Sequence, residues 1–302
     1  MKVSLAELIA PHLLLLVEPS RAFYETRVSG WGPRGLDELR HVRARMPAPA
    51  PSQPPADEEI VEFGRRSVSL RIHTPEQGQA TGALLDIHGG GFYMGSAARS
   101  DVRNRQLADA LGVAIVSVDY RLAPEHPWPA APDDCETAAL WLAEHAEDRF
   151  GTAKLGIVGF SAGATLAMTT LLRLRDRGNR AVDTAVLQFG TYDLSAQTPA
   201  GRLIADEYFL EAYSGDAADR THPDFSPIYA DVEGLPPVMV MVGEADILLQ
   251  DNLAMAARLS AAGVAVDLRV YPDAPHGFTG HPTPIGRAAL EDIEIWFKEH
   301  LA

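Results

Sequence analysis

The chain has 302 residues, enough for one large α/β domain or two smaller ones around a sizeable buried core. Its apolar and charged fractions are those of an ordinary globular protein and exclude a disordered chain, while a formal net charge of −15 with no basic run excludes nucleic acid and anionic membrane as partners. Cys135 is the single cysteine, which excludes an internal disulfide. The ten histidines show no H-E-x-x-H or comparable ligand spacing, so no metal is expected, and the serine chemistry read below needs no cofactor.

Residues 1–46 read as two amphipathic helical pieces joined by a turn at Gly30-Trp31-Gly32-Pro33. Leu5, Leu8 and Ile9, then Leu13, Leu14, Leu16 and Val17, recur at helical spacing. The Leu13–Val17 run is far short of the about 20 apolar residues that span a bilayer. Glu7, Pro11 and His12 interrupt the apolar region and no small-residue cleavage site follows, so the expected protein is cytoplasmic, without a cleaved leader. A Pro-rich connector, Pro47–Pro55, is stiff enough to separate a lid from a core. From these residues alone the first segment either covers core surface or gates a site.

From Glu59 the texture changes to strands, Ile60–Phe63 and Ser67–His73, expected as an antiparallel edge pair. Strand and helix then alternate, the pattern of a mainly parallel sheet with helices on both faces. Strands are expected near Ala83–Ile87, Val113–Val118, Lys154–Val158, Val182–Phe189, Val238–Val242 and Val264–Val270. Helices are expected near Arg99–Leu111, Pro132–Phe150, Ala162–Arg177, Leu248–Ala262 and Ile285–Leu301, with a helical insertion over Pro199–Ser214.

Three motifs sit just past predicted strands, where open α/β sheets place their ligands. Gly159-Phe160-Ser161-Ala162-Gly163 fits G-x-S-x-G, a strand-to-helix corner that exposes a serine hydroxyl and whose flanking glycines let two elements approach. His88-Gly89-Gly90-Gly91-Phe92 removes three β-carbons from one loop, so its N–H groups can face a substrate. In this context Gly90 and Gly91, with the N–H of Ala162, make an oxyanion hole. His88 is expected to organise the loop as a hydrogen-bond donor rather than to act as a base. Acyl transfer by serine also needs a base and a carboxylate to orient it. Asp246, immediately past Val238–Val242, is preferred over Glu244 and Asp251. His276, between Pro275 and Gly277, is preferred over His281. The order Ser161, Asp246, His276 is that of an α/β hydrolase.

With these residues in place, the sequence closely resembles the bacterial hormone-sensitive-lipase-like (family IV) carboxylesterases. The likeness rests on His88–Phe92, the serine elbow and the block Asp119-Tyr120-Arg121-Leu122-Ala123-Pro124-Glu125-His126-Pro127-Trp128-Pro129-Ala130-Ala131-Pro132-Asp133-Asp134, and it extends from about residue 57 over most of the chain. The resemblance implies an α/β-hydrolase fold: a mostly parallel eight-stranded sheet flanked by helices, with residues 57–302 as the catalytic domain. Residues 1–56 become a small helical cap with its connector, helped by the insertion near 199–214. Tyr120–Asp134 becomes a crossover that braces the floor of the site. It further implies a serine esterase for short to medium acyl chains, a small-molecule ester as substrate, and a homodimer through the last core strand. Amides, thioesters or acetylated metabolites are the alternative substrates, and a non-catalytic ligand-binding relative is the alternative class. The sequence departs from the family at Phe160, where a polar residue usually precedes the serine, at Ala164, often glycine, and at Ile247 and Gln250, often Pro and Asp.

Overall fold

The computed structural model describes residues 4–26 and 32–301, so the expected turn at Gly30 and Trp31 lies outside the described residues. The N-terminal leucine-rich stretch departs from expectation. It forms 3-10 turns over Leu5–Leu8 and Pro11–Leu16, and α-helix begins only at α1 (Val17–Glu25). Pro19 gives the reason: a proline has no N–H and collides with the carbonyl four residues back, so it fits only the first turn of a helix. The apolar stripe is not all buried either. Leu13 is, while Leu14 and Leu15 are 57% and 81% exposed. After residue 31 the second piece is the helix α2 (Leu36–Arg45), whose Leu39 is fully buried.

The sheet has eight strands among the described residues, in the order β1-β2-β4-β3-β5-β6-β7-β8. β1 (Asp57–Phe63) and β2 (Arg66–His73) form the expected antiparallel pair at one edge, closed by a two-residue turn with Gly64 at φ +65° in its first central position. β2 also runs antiparallel to β4 (Ala114–Asp119). The other pairings are parallel, through β3 (Ala83–Ile87), β5 (Leu155–Phe160), β6 (Val182–Gln188), β7 (Val238–Gly243) and β8 (Val266–Tyr271). Every residue of β3 and β7 is buried, because helices cover both faces. One core layer joins the sheet to α4 (Ala130–Phe150), α5 (Ala162–Asp176) and α7 (Leu249–Ala261). The other joins it to α3 (Asp101–Leu111) and α8 (Pro284–Leu301).

The insertion after β6 carries a 3-10 turn over Gly201–Ile204 and the short helix α6 (Tyr208–Ser214). The N-terminal pieces are tied down on two sides. Arg21 pairs with Asp273 and Ser20 Oγ accepts the N–H of Ile285, while Arg43 of α2 donates to the carbonyls of Tyr93 (2.8 Å) and Ala123 (2.6 Å). No helix among the described residues is long and apolar enough to cross a membrane.

Candidate active site

Each preferred catalytic residue follows the carboxyl end of a different parallel strand. Ser161 leaves β5 with φ 54° and ψ −127°, a conformation that L side chains rarely adopt. Its own backbone holds it there: its N–H donates to Gln188 O (2.8 Å) and its carbonyl accepts the N–H of Ala164 (2.8 Å). The flanking glycines are obligatory by contact. A β-carbon on Gly159 would overlap the Gly163 carbonyl, and one on Gly163 would overlap the carbonyl of Ile87 at the end of β3.

The sharp turn brings Ser161 Oγ to 2.9 Å from His276 Nε2. On the other side of the ring, His276 Nδ1 donates to Asp246 Oδ2 at 2.9 Å and lies 3.1 Å from Oδ1. A carboxylate can only accept, so this bond fixes the proton on Nδ1 and leaves the Nε2 lone pair facing the serine. The Asp246 side chain is fully buried, whereas the imidazole is 39% exposed and reachable. Asp246 Oδ1 also accepts the N–H of Leu248 (2.8 Å), so the carboxylate orients the histidine and shapes the entry to α7 at once. The competitors are engaged elsewhere. Asp251 accepts the N–H groups of Tyr192 and Asp193, and Glu244 accepts that of Asp273.

Across the cleft the triple-glycine loop needs its glycines. Gly90 and Gly91 have φ +122° and +58°, and a β-carbon on Gly90 would overlap the Met94 carbonyl. The N–H groups of Gly90, Gly91 and Ala162 have no acceptor among the described residues, and all three residues line the same cavity as Ser161 and His276. His88 is buried, and burial pushes its imidazole pKa down; Nδ1 donates to Gly89 O (2.8 Å) while the ring stacks on Tyr120 at 4.2 Å. Tyr120 in turn donates to His88 O (2.9 Å), and the N–H of Ala123 donates to Phe92 O (3.0 Å), so the 119–134 block holds the loop from below. Phe160, the departure from the family pattern, works by contact. Its ring abuts Gly89, lies edge-on to Phe189 at 6.4 Å, and carries the Arg103 guanidinium 5.4 Å from its centroid, with Arg103 bound to Asp86 of β3 (2.7 Å).

The cavity above these groups has a volume of about 430 Å³. Sequence reasoning missed several of its walls: Ile204, Glu207 and Phe209 from the insertion, and Thr191 and Leu248 from the loops. It also missed Gly243, where a β-carbon would overlap the carbonyl of Ala274 in the His276 loop. Among the described residues no group of three or more His, Cys, Asp or Glu side chains is placed to hold a metal ion.

Residues 84–280 match the model of a family described by its α/β hydrolase fold. The chain belongs to the α/β hydrolase fold family. Within it, the chain falls among the hormone-sensitive-lipase-like members, as its motifs imply. It is 32% identical to the carboxylic ester hydrolase LipN of Mycobacterium tuberculosis, over 89% of this chain and 76% of that one. It is 35% identical to the ethyl acetate hydrolase of Pseudomonas putida, over 70% and 71%. Among solved structures, a hyperthermophilic esterase from the archaeon Pyrobaculum calidifontis superposes on this hydrolase with a TM-score of 0.76 at 31% identity, covering 81% of this chain and 85% of its own.

Proposed function

We propose that this α/β hydrolase is a serine carboxylesterase that cleaves esters of short to medium acyl length through an acyl-enzyme on Ser161. The observation that carries the reading is the unbroken relay from Ser161 Oγ through His276 to buried Asp246, beside three amides without acceptors. His276 Nε2 takes the hydroxyl proton as Oγ attacks the ester carbonyl. Asp246 holds the ring in the required tautomer and stabilises the imidazolium that forms. The N–H groups of Gly90, Gly91 and Ala162 receive the oxyanion, and loss of one such donor typically costs about 3–4 kcal/mol of transition-state stabilisation. His276 then protonates the leaving alcohol and activates the water that releases the acid, without a cofactor in the cycle.

The cavity volume and its apolar, aromatic walls support small substrates, as do the carboxylic ester hydrolase and ethyl acetate hydrolase among the relatives. Residues 1–56 act as a cap with the insertion at 199–214. Support comes from Arg43, which fastens α2 to the loop that carries Gly90 and Gly91, and from Gly32, which reaches the cavity wall. β8 is the last strand of the sheet among the described residues, and a second copy would pair along its outer edge. Hydrolysis of p-nitrophenyl esters from acetyl to palmitoyl tests the reading: rates should peak at or below about eight carbons, within the reach of a cavity of this size. A maximum at palmitoyl would overturn the acyl-length assignment.

A further inference from the structure

The cavity wall contains a single carboxylate and no lysine or arginine among the described residues, and that carboxylate is Glu207, at the start of α6. Its side chain has no hydrogen-bonding or ion-pairing partner among the described residues, and burial alone pushes its carboxyl above the ordinary range. An unpaired, partly desolvated carboxylate is costly to keep and gains when a cation joins it. The surroundings suit one. The hydroxyl end of the Tyr93 ring lies between Gly91, where a β-carbon would meet Cε2 and Cζ at 3.5 Å, and Gly32, where a β-carbon would meet the hydroxyl at 2.6 Å and Glu207 Oε2 at 3.4 Å. Gly91, Tyr93 and Glu207 therefore line one corner of the cavity, beside the oxyanion loop. Phe209 closes the same corner, with its ring 6.4 Å from that of Tyr93 and edge-on to it. Aromatic faces beside a carboxylate are the surroundings in which alkylammonium groups bind. The Tyr93 phenol is pushed up by burial first and then by Glu207 and Glu38, while Arg43, on the Tyr93 carbonyl, is paired with Glu125 (2.7 Å).

Resting on the esterase reading, we propose that this site favours esters that carry an alkylammonium group two or three bonds from the ester linkage, seated between Glu207 and the rings of Tyr93 and Phe209. The cation can belong to the alcohol or to the acyl part, and two isosteric pairs separate these sources. Acetylcholine is compared with 3,3-dimethylbutyl acetate, and the ethyl ester of trimethylglycine with ethyl 3,3-dimethylbutanoate. All four are assayed on the full chain and on Glu207→Gln at about pH 8, where a carboxyl is ionised. The expected result is that Glu207→Gln lowers the cationic-to-neutral ratio of kcat/KM by about tenfold for one pair, which also names the side that bears the cation. Taking ratios cancels the intrinsic reactivity of each ester.

A ratio that stays within about twofold for both pairs while the neutral esters are cleaved overturns this inference and leaves the esterase reading standing. No cleavage of any ester by the unaltered chain overturns both. Competition on the unaltered chain gives a readout that does not depend on the variant's folding. Choline should inhibit p-nitrophenyl acetate hydrolysis competitively and about tenfold more tightly than 3,3-dimethylbutanol; equal inhibition overturns the inference.

Discussion

Ser161 holds a backbone conformation that costs on the order of 1–3 kcal/mol in a non-glycine residue, and the hydrogen bonds to Gln188 and Ala164 keep it there. This serine, His276 and Asp246 were legible in the sequence because each follows an apolar strand and sits among small or ring-constrained neighbours. Glu207 and Phe209 were not legible as site residues, because their place depends on how the insertion folds back over the cavity. Asp251 is instructive in the same way. It was a rival for the triad, yet the structure buries it with Oδ2 accepting two backbone N–H groups and Oδ1 unpartnered. Burial, more than the charge of Asp193, raises its pKa from 3.8 to about 6, against the pull of those N–H groups. A carboxyl with a raised folded pKa favours the folded state at low pH, and that stability is lost as pH rises from about 4 through about 6. The gap of about two units corresponds to roughly 3 kcal/mol. Asp251→Asn should therefore exceed the unaltered protein in stability near pH 8, with a margin that shrinks as pH falls below about 6. Urea unfolding across pH 4–8 reads it, and a margin independent of pH would contradict the assignment.

Among the elements, strands β3 to β7 lie within a few residues of where their apolar runs place them, since burial on both faces leaves a continuous hydrophobic signature. The N-terminal stretch deceived because helical spacing says nothing about whether a proline lets the helix run. Beyond the antiparallel edge pair of β1 and β2, strand order and register were not legible. They arise from contacts between distant segments, such as the close approach of α5 to the end of β3 at Gly163 and Ile87. Gly163→Ala tests that joint. Its β-carbon meets rigid backbone rather than a movable side chain, so the variant should lose about 3 kcal/mol or more in urea unfolding, well beyond an ordinary surface change. A loss below about 0.5 kcal/mol would mean that α5 does not approach β3 as described.

For the molecule as a whole, the charge of −15 acts on association. Two copies meeting along the β8 edges carry like charge toward each other, so pairing should strengthen with added salt as the repulsion is screened. Sedimentation equilibrium at low and about 0.5 M salt should show a mass moving toward twice 32.6 kDa; a monomer at both would dismiss the dimer. The same acidity suits the attraction of cationic esters toward a cavity whose lining has no lysine or arginine among the described residues. The proposed chemistry converges on one oxygen atom, Ser161 Oγ. The most direct measurement is intact and peptide mass spectrometry after treatment with a p-nitrophenyl alkylphosphonate, together with ester turnover by Ser161→Ala. One adduct is expected, on the Ser161 peptide, with turnover reduced by at least about 10⁴-fold in the variant. An adduct on another residue, or a variant that keeps near-native turnover, would contradict it.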